Sequence, residues 1–454
     1  MRLNALFGVS LALLCFAPLM RSGRLMSALL VLELLGGLLL LLALWTPAPP
    51  RRIPLLLKVL LVSMVLLPLV YLLPIPAEWW RQLPGRALYA QSLDILEQAG
   101  KSPYLTLSLL PQRTLSSLLA LLPVLGMLLA VLLLPVQRVK WLVYAFLLMA
   151  VVQALLGLFQ YGTGAAWAFS GGVEAARYLA VGTYANSDHF AALMVMALPM
   201  ALALTAYYAQ SGDPRREGGL SRLSGMHRAG AYFLLGLLLL LAGVFARSRT
   251  GVVLVMLAIL LLAGVFSRHL GGRRSVGIGT VTLVVAGAVA ADIGLIPVLN
   301  RFAVDPLTDV RWHTFAVTWQ AIREFFPLGS GPGTFQAVFL GFQPPDLPQF
   351  INHVHNDYLE WLFETGMLGV VLLSLALLVY GYGWWRLRGR AWDAFRFMQT
   401  AAGLGVLLLM LHGLLDFVFH TPANAVFFAF LSGVFLHLGG ADCAVTNRST
   451  KLNG

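Results

Sequence analysis

Charged residues are scarce in this sequence: of its 454 residues only 11% are Asp, Glu, Lys or Arg, whereas 59% are hydrophobic. A soluble domain carries roughly 25% charged residues, so this composition is too apolar to give a globule a polar surface. Apolar runs of about 18–22 residues recur along the whole chain, and each is long enough to cross a bilayer. The composition therefore excludes a soluble domain and predicts an all-α polytopic membrane protein.

Cysteine is nearly absent as well. The two cysteines are Cys15, in the first apolar run, and Cys443, which the topology below places in the cytoplasm, so no disulfide framework is expected. Residues 2–20 have the basic start and apolar middle of a secretory signal. However, Pro18-Leu19-Met20 is a poor cleavage site, and further apolar runs follow directly. This run is therefore predicted to be a retained first helix.

About twelve transmembrane helices are predicted. Their bounds are 3–20, 25–45, 55–74, 114–135, 139–161, 188–210, 229–246, 250–267, 276–297, 367–385, 397–420 and 421–437. With the N-terminus in the cytoplasm, these spans place most of the 31 Lys and Arg residues inside and most of the 19 Asp and Glu residues outside, which is the positive-inside pattern. That pattern accounts for the net charge of +12, so no nucleic-acid partner is expected. Both termini are predicted to be cytoplasmic.

No internal repeat is visible, and residues 1–454 are predicted to form a single membrane domain with a helical periplasmic cap. The cap is the large outer loop 298–366, the longest polar stretch of the chain. Within it we expect a helix at about 308–325, a Gly/Pro turn at 327–333, an irregular stretch, and a short helix at 356–365 before Gly366.

Two arginines stand in a tight turn on the outer side, where basic residues should be few. They are Arg247 and Arg249, in the sequence Arg247-Ser248-Arg249-Thr250-Gly251 between spans seven and eight. One interpretation is that both side chains snorkel to lipid headgroups. The other is an anion site, because guanidinium groups match phosphate oxygens two at a time.

The segment from His353 to Gly366 holds the densest set of titratable residues. Asp357, Glu360 and Glu364 are spaced to fall near one face of a helix that His355 and Asn356 begin. The segment is either an interfacial helix capped by a histidine or a site where a histidine beside carboxylates acts as a general base. A zinc site on His353 and His355 lacks a third ligand at a diagnostic spacing, so no metal is expected.

Two further groups lie on the same predicted side of the membrane. Arg311 is on the predicted cap helix that leads to the 327–333 turn; a solvated helix face is the default interpretation, and the turn matches no phosphate-binding loop. His412, Asp416 and His420 are spaced to fall within about 80° on one face of span eleven. We expect them to support the site, either through a carboxylate that orients a histidine or through an internal ion pair. Together the groups suit an anionic diphosphate and an alcohol that must lose a proton.

The segment His355-Asn356-Asp357-Tyr358-Leu359-Glu360, followed by Glu364-Thr365-Gly366, resembles the O-antigen ligase and polymerase superfamily of bacterial envelope enzymes. The resemblance extends from about residue 80 to residue 430. The other stretches that carry it are Leu83-Pro84-Gly85-Arg86, Gly182-Thr183-Tyr184-Ala185-Asn186 with His189-Phe190-Ala191, Ser248-Arg249-Thr250-Gly251, Phe326-Pro327-Leu328-Gly329 with Gly331-Pro332-Gly333, and His412 with Asp416.

This resemblance implies a C-type glycosyltransferase-like fold of about twelve helices in the bacterial inner membrane, with a periplasmic active site. It implies transfer of a glycan from an undecaprenyl diphosphate carrier to a glycan, lipid A-core or protein acceptor, without a cofactor or a metal. By motif match, Arg249 and Arg311 would hold the diphosphate and His355 would be the catalytic base. Supporting roles would fall to the remaining site residues, which are Arg247, Asn356, Asp357, Asp416 and His412.

The alternatives differ in acceptor or in class. Because the Asn-Asp-Tyr-Leu sequence after His355 is polymerase-like, an O-antigen or exopolysaccharide polymerase stays open beside a ligase. A lipid or glycan transporter would place ionisable residues at midplane and show two related halves, whereas here Glu33 is the clear intramembrane charge. A structural scaffold would leave the outer arginines and the His-Asn-Asp motif unexplained.

Overall fold

The computed structural model describes residues 1–46, 53–100, 104–165, 178–210, 219–270, 310–347, 349–390 and 392–439. All regular secondary structure in these ranges is helical, apart from one isolated bridge between Pro74 and Thr106. The helices are α1 (Arg2–Phe16), α2 (Met26–Trp45), α3 (Leu55–Tyr71), α4 (Ala77–Gln82), α5 (Ala87–Gln98), α6 (Pro111–Leu133), α7 (Val136–Thr163), α8 (Ser187–Gln210), α9 (Gly219–Phe245), α10 (Arg249–Leu270), α11 (Val310–Phe325), α12 (Phe335–Val338), α13 (Asp357–Leu387), α14 (Ala394–His412) and α15 (Pro422–Leu436). A four-residue helical turn occupies Leu19–Ser22, and short 3₁₀ turns occupy Phe339–Gly341 and Val418–His420.

Eight of the described helices are long and apolar enough to cross a membrane, namely α2, α6, α7, α8, α9, α10, α13 and α14. Three shorter apolar helices, α1, α3 and α15, stand where spans one, three and twelve were predicted. The predicted span 276–297 lies outside the described residues. The multi-pass membrane protein predicted from composition is thus confirmed, and the count of twelve stays a prediction.

Two predicted spans are too long. The first helix ends at Phe16 rather than at residue 20, because Pro18 follows and Met20 and Arg21 adopt the left-handed conformation, with φ of 51° and 61°. Span eleven was predicted to reach residue 420, but α14 ends at His412. Its continuation is a turn followed by the 3₁₀ turn Val418–His420.

Helix α8 forms the centre of the bundle. In its most apolar stretch 94% of the residues are buried, and it packs against α9, α10 and α14. Small side chains such as Ala191, Ala197 and Ala201 are fully buried along it. Such residues let helix backbones approach closely, which is the main source of helix association in lipid.

Contacts between distant segments define the two ends of the bundle. At one end Arg2 donates a hydrogen bond from Nη1 to the Trp45 carbonyl at 3.2 Å, and Arg138 contacts Asn4. At the other end Thr183 donates to the Pro18 carbonyl, and the described part of the cap lies over the helices there. We refer to this second end, which carries cap residues 310–347 and 349–366, as the cap end. The grouping agrees with the alternation of connections in the predicted topology.

The cap is held by an apolar cluster. Phe325 of α11 and Phe335 of α12 pack edge-to-face on Phe363, with ring centroids 5.4 Å and 5.3 Å away. Arg86, from the 75–113 loop, is buried against the Phe325 ring and donates from Nη2 to the Leu107 carbonyl at 2.5 Å. Burial lowers the pKa of the Arg86 guanidinium to about 10. The cap and the 75–113 loop therefore pack against each other as one layer.

The Gly/Pro turn at 327–333 docks on a break in α13. Gly366 has φ +51° and ψ −137°, and Met367 there donates its backbone N–H to the Pro327 carbonyl at 2.8 Å. The Glu364 carboxylate accepts the backbone N–H groups of Gly333 and Phe335, each at 2.9 Å. The turn is thus a structural element, as predicted, and it fixes the first turns of α13 to the cap.

Candidate functional site

His355 immediately precedes the N-cap of α13. Asn356 caps this helix, because its side-chain oxygen accepts the N–H groups of Tyr358 and Leu359 at 3.0 Å each. His355 itself is in the left-handed conformation, with φ of 61°. A non-glycine residue held there costs about 1–3 kcal/mol, and such strain concentrates at functional sites. The backbone thus turns sharply where the imidazole is displayed.

Asp416 orients the imidazole of His355. Its Oδ1 atom lies 2.9 Å from His355 Nδ1 and also accepts the N–H of Phe417 at 2.9 Å. The Asp416 side chain is 1% exposed and that of His355 is 35% exposed. Within the described residues, Nε2 of His355 has no hydrogen-bond partner. A neutral ring that donates through Nδ1 therefore presents an accepting Nε2 at the surface of the site.

The charge state of Asp416 fits this role. Burial alone would raise its pKa, but the hydrogen bond from His355 and the nearby His189 and Arg311 side chains hold the pKa of this carboxyl well below its usual range. Asp416 is therefore ionised at neutral pH. The sequence assigned supporting roles to both Asp357 and Asp416, and the structure pairs His355 with Asp416.

Asp357 instead belongs to a second network. Its Oδ1 atom lies 2.9 Å from Nδ1 of His420, and Glu360 Oε1 lies 3.2 Å from Nε2 of the same ring. Glu360 Oε1 is also 2.8 Å from His353 Nδ1. We call these four residues the carboxylate–histidine chain.

The cap helix brings Arg311 to the turn that holds Asp416. Arg311 donates from Nη1 to the Leu415 carbonyl at 3.0 Å, and its Nη2 lies 3.5 Å from Asp188 Oδ2. Its side chain is 29% exposed. Arg311 therefore lies at the turn that carries Asp416, the partner of His355. From the sequence, Asp188 was only the first residue of the predicted span 188–210. No sequence pattern indicates that it pairs with Arg311.

The Phe417 ring is the hub of the site. The ring centroids of His353 and His355 lie 4.3 Å and 4.8 Å from it, and that of His189 lies 4.7 Å away. The exposed Arg24 places its guanidinium carbon 5.3 Å from the same centroid.

Arg24 was not singled out from the sequence. The signal that could have found it is the one that marked Arg247 and Arg249, an arginine on the outer side where basic residues are few.

Arg249 lies at the cap end, where it begins α10. Ser248 Oγ accepts the N–H of Gly251 at 3.0 Å, and a Cβ atom at Gly251 would lie 2.8 Å from the Cβ of Ala191. Ala191 is one turn beyond Asp188 on α8, so the start of α10 lies beside the helix end that carries the Arg311 partner. Arg247 lies with its guanidinium carbon 5.6 Å from the Tyr161 ring centroid, at the end of α7.

The prediction that His412, Asp416 and His420 share one helix face is wrong. If the helix continued, the Phe417 N–H would donate to the Gly413 carbonyl. Instead the Gly413 carbonyl accepts the N–H of Asp357 at 2.8 Å, and the Phe417 N–H donates to Asp416 Oδ1. The helix therefore stops, and His420 turns to Asp357 while Asp416 turns to His355.

His412 lies fully buried near Asp416. In the described part of the chain neither of its ring nitrogens has a hydrogen-bond partner, and the same holds for Asp416 Oδ2 and His189 Nε2. Buried polar atoms are nearly always hydrogen-bonded, to protein or to ordered water. These polar atoms belong to three neighbouring residues, which lie behind the His355–Asp416 pair.

Comparison with known proteins agrees with the motifs. Residues 234–374 match the family described as O-antigen ligase, and this stretch contains Arg249, Arg311 and His355. No curated protein matches the chain. Over residues 234–374 the chain is therefore similar to the O-antigen ligase family, and this match supports the resemblance to the O-antigen ligase and polymerase superfamily.

Proposed function

We propose that this protein transfers a glycan from an undecaprenyl diphosphate carrier to an acceptor hydroxyl at the cap end, which the predicted topology places in the periplasm. The observation that carries the proposal is the His355–Asp416 pair, in which Nδ1 is held at 2.9 Å by an ionised carboxylate. Arg311 lies at the same turn. A base beside fixed cations is what a hydroxyl nucleophile and a diphosphate leaving group require.

The chemical step is a displacement with inversion. Nε2 of His355 takes the proton of the acceptor hydroxyl while that oxygen bonds to the anomeric carbon. The bond from this carbon to the diphosphate oxygen breaks on the opposite face, and its electron pair leaves with the diphosphate. Asp416 stabilises the imidazolium as it forms. Positioned base catalysis contributes about 10²–10⁴-fold to such a rate.

The arginines act on the leaving group. Negative charge grows on the diphosphate as the glycosidic bond breaks, so guanidinium groups held in place stabilise the transition state more than the ground state. Arg311 is positioned by Asp188 and the Leu415 carbonyl. We assign Arg249 to the same role, and Arg24 joins them from the rim of the site. The polyprenyl chain of the carrier would lie in the surrounding lipid.

The acceptor separates a ligase from a polymerase. The polymerase-like residues after His355 all make contacts within the protein: Asn356 caps α13, Asp357 binds His420, and the Tyr358 hydroxyl donates to the Met410 carbonyl at 2.7 Å. Their identity is thus explained by folding. The test therefore includes both acceptor classes: a lipid A-core or protein acceptor, which a ligase would use, and a lipid-linked repeat unit, which a polymerase would use.

The test uses purified protein in detergent, a defined glycan on undecaprenyl diphosphate, and acceptors varied one at a time. Turnover without two compartments supports an enzyme and contradicts a transporter. His355→Ala, Arg311→Ala and Arg249→Ala are expected to abolish transfer while the protein remains folded. Arg323→Ala, at an exposed site on the same α11, is the control for Arg311. Transfer by Arg249→Ala at the wild-type rate would overturn its diphosphate assignment.

A further inference from the structure

Three side chains beside the His355–Asp416 pair have the composition of a metal site. They are His353, Glu360 and His420, and one donor atom of each lies within 4.8 Å of the others. We propose that they bind a divalent transition-metal ion of the zinc class, which fastens the segment carrying His355 to the turn carrying Asp416. The sequence predicted no metal, because it offered His353 and His355 without a third ligand. The fold supplies a different pair of partners for His353.

The distances fit a common ion. Glu360 Oε1 lies 2.8 Å from His353 Nδ1 and 3.2 Å from His420 Nε2. Zinc binds imidazole nitrogen and carboxylate oxygen at about 2.0–2.2 Å, which places the ligands of a tetrahedral site roughly 3.3 Å apart. Two of the three pairwise distances are thus already near that value, and the donor atoms of His353 and His420 lie within 4.8 Å of each other.

The ligands are held by further contacts of the type found around metal sites. His420 presents Nε2 to the cluster while Asp357 accepts a hydrogen bond from its Nδ1 at 2.9 Å. This is the carboxylate–histidine pairing that orients metal-binding imidazoles. Glu360 Oε2 accepts the Val354 N–H at 3.0 Å, and the His353 ring stacks on Phe417. Each proposed ligand is thus preorganised by a neighbour that is not itself a ligand.

Exposure leaves a route for entry and a fourth ligand position. Glu360 is 2% exposed and closes the inner side, whereas His353 and His420 are 21% and 34% exposed. Two imidazoles with one carboxylate favour zinc and its neighbours over magnesium or calcium, which prefer oxygen ligands. Water completes the coordination.

The position of the cluster gives the ion a mechanical role. His353 lies two residues before His355, and His420 lies four residues after Asp416. One ion would therefore connect the segment that carries His355 to the turn that carries Asp416. The rival explanation is that hydrogen bonds alone, without a metal ion, hold the carboxylate–histidine chain together. That arrangement predicts no stoichiometric metal.

The test is metal binding by the purified full chain. The protein is purified through an affinity tag that contains no histidine, and bound metal is removed with a chelator beforehand. Addition of Co²⁺ is expected to give the intense visible absorption of a tetrahedral site at one equivalent, and Zn²⁺ is expected to abolish it. His353→Ala, Glu360→Gln and His420→Ala should remove the signal, and Asp357→Asn should weaken binding by about 10–100-fold. The control is His313→Ala, which should bind Co²⁺ as the wild type does. In the wild type, Nδ1 of His313 lies 3.6 Å from Asp346 Oδ2 elsewhere on the cap.

A gain of signal guards against variants that only misfold. His420→Cys replaces the imidazole with a thiolate and is expected to bind Co²⁺ with a new sulfur-to-metal charge-transfer band in the near ultraviolet. If the wild-type protein binds no Co²⁺ beyond the level of His353→Ala, the site is a hydrogen-bonded chain only and the proposal is wrong. The same conclusion follows if saturable binding survives all three ligand substitutions.

Discussion

Asp416 and His355 are 61 positions apart in the chain, yet Oδ1 of one lies 2.9 Å from Nδ1 of the other. The carboxylate is fixed in turn by the Phe417 N–H, so its position is set by backbone rather than by a mobile side chain. The pair joins the start of α13 to the turn after α14, and the proposed chemistry depends on it.

Replacing Asp416 with Asn is expected to lower kcat by at least about 10²-fold. The amide can no longer stabilise the imidazolium and can hold the ring in the wrong tautomer. Transfer would be measured under saturating donor with purified protein. Asp346→Asn, at an exposed carboxylate on the cap, is the control. Equal kcat for Asp416→Asn and the wild type would exclude His355–Asp416 as the base system.

The same carboxylate should give a pH-dependent difference in stability. Because the pKa of Asp416 is held below its usual range in the folded protein, its ionised form stabilises the fold above the unfolded-state pKa of about 3.9. That contribution is lost as the pH falls through the lower folded-state pKa. The melting temperature of Asp416→Asn in detergent should fall below that of the wild type at pH 6, and the gap should narrow towards pH 3. A gap that widens with acid would contradict the assigned direction.

Arg24→Ala is expected to raise KM for the lipid-linked donor several-fold and to lower kcat less than Arg311→Ala does. Arg24 sits exposed at the rim over Phe417, whereas Arg311 is anchored on both sides. Arg24→Lys should recover part of the loss, because it keeps the charge without the guanidinium geometry. Arg2→Ala, at the opposite end of the bundle, should leave both constants unchanged. Unchanged donor KM in Arg24→Ala would remove this residue from the site.

Gly366→Ala is expected to destabilise the protein strongly, by more than about 2 kcal/mol. A Cβ atom there would lie 2.1 Å from the Pro327 carbonyl oxygen, and φ of +51° is unfavourable for alanine. Gly381→Ala on the same helix is a matched control, since no heavy atom of the described chain lies within 4 Å of a Cβ at that site. The measurement is melting temperature and the monodisperse fraction in detergent. Equal melting of the two variants would contradict the tight docking of the 327–333 turn.

The fold was largely predictable because a span needs only length and apolarity, and those are local properties. Helix ends were less so. The apolar run of α14 continues past His412, but the Gly413 carbonyl accepts the N–H of Asp357, and the Phe417 N–H donates to Asp416 Oδ1 instead of continuing the helix. A contact between residues so far apart in sequence leaves no pattern in either segment.

The candidate site was predictable as a set of residues but not as a set of pairs. The positive-inside pattern and the motifs placed Arg249, Arg311 and His355 on one side of the membrane. Spacing placed Asp357, Glu360 and Glu364 on one helix face, yet each binds something different: His420, the His353–His420 pair, and the amides of the 327–333 turn. Partner choice depends on how loops fold over one another, which spacing along one segment cannot encode.

The break at Gly366 separates the mechanical roles of α13. The carbonyls of Phe363 and Glu364, before the break, accept the N–H groups of Ser330 and Gly331 in the cap, while the residues beyond Met367 form the apolar part of the helix that is long enough to cross the lipid. One helix therefore serves two surroundings, because the break at Gly366 lets its first turns follow the cap while the remainder follows the bundle.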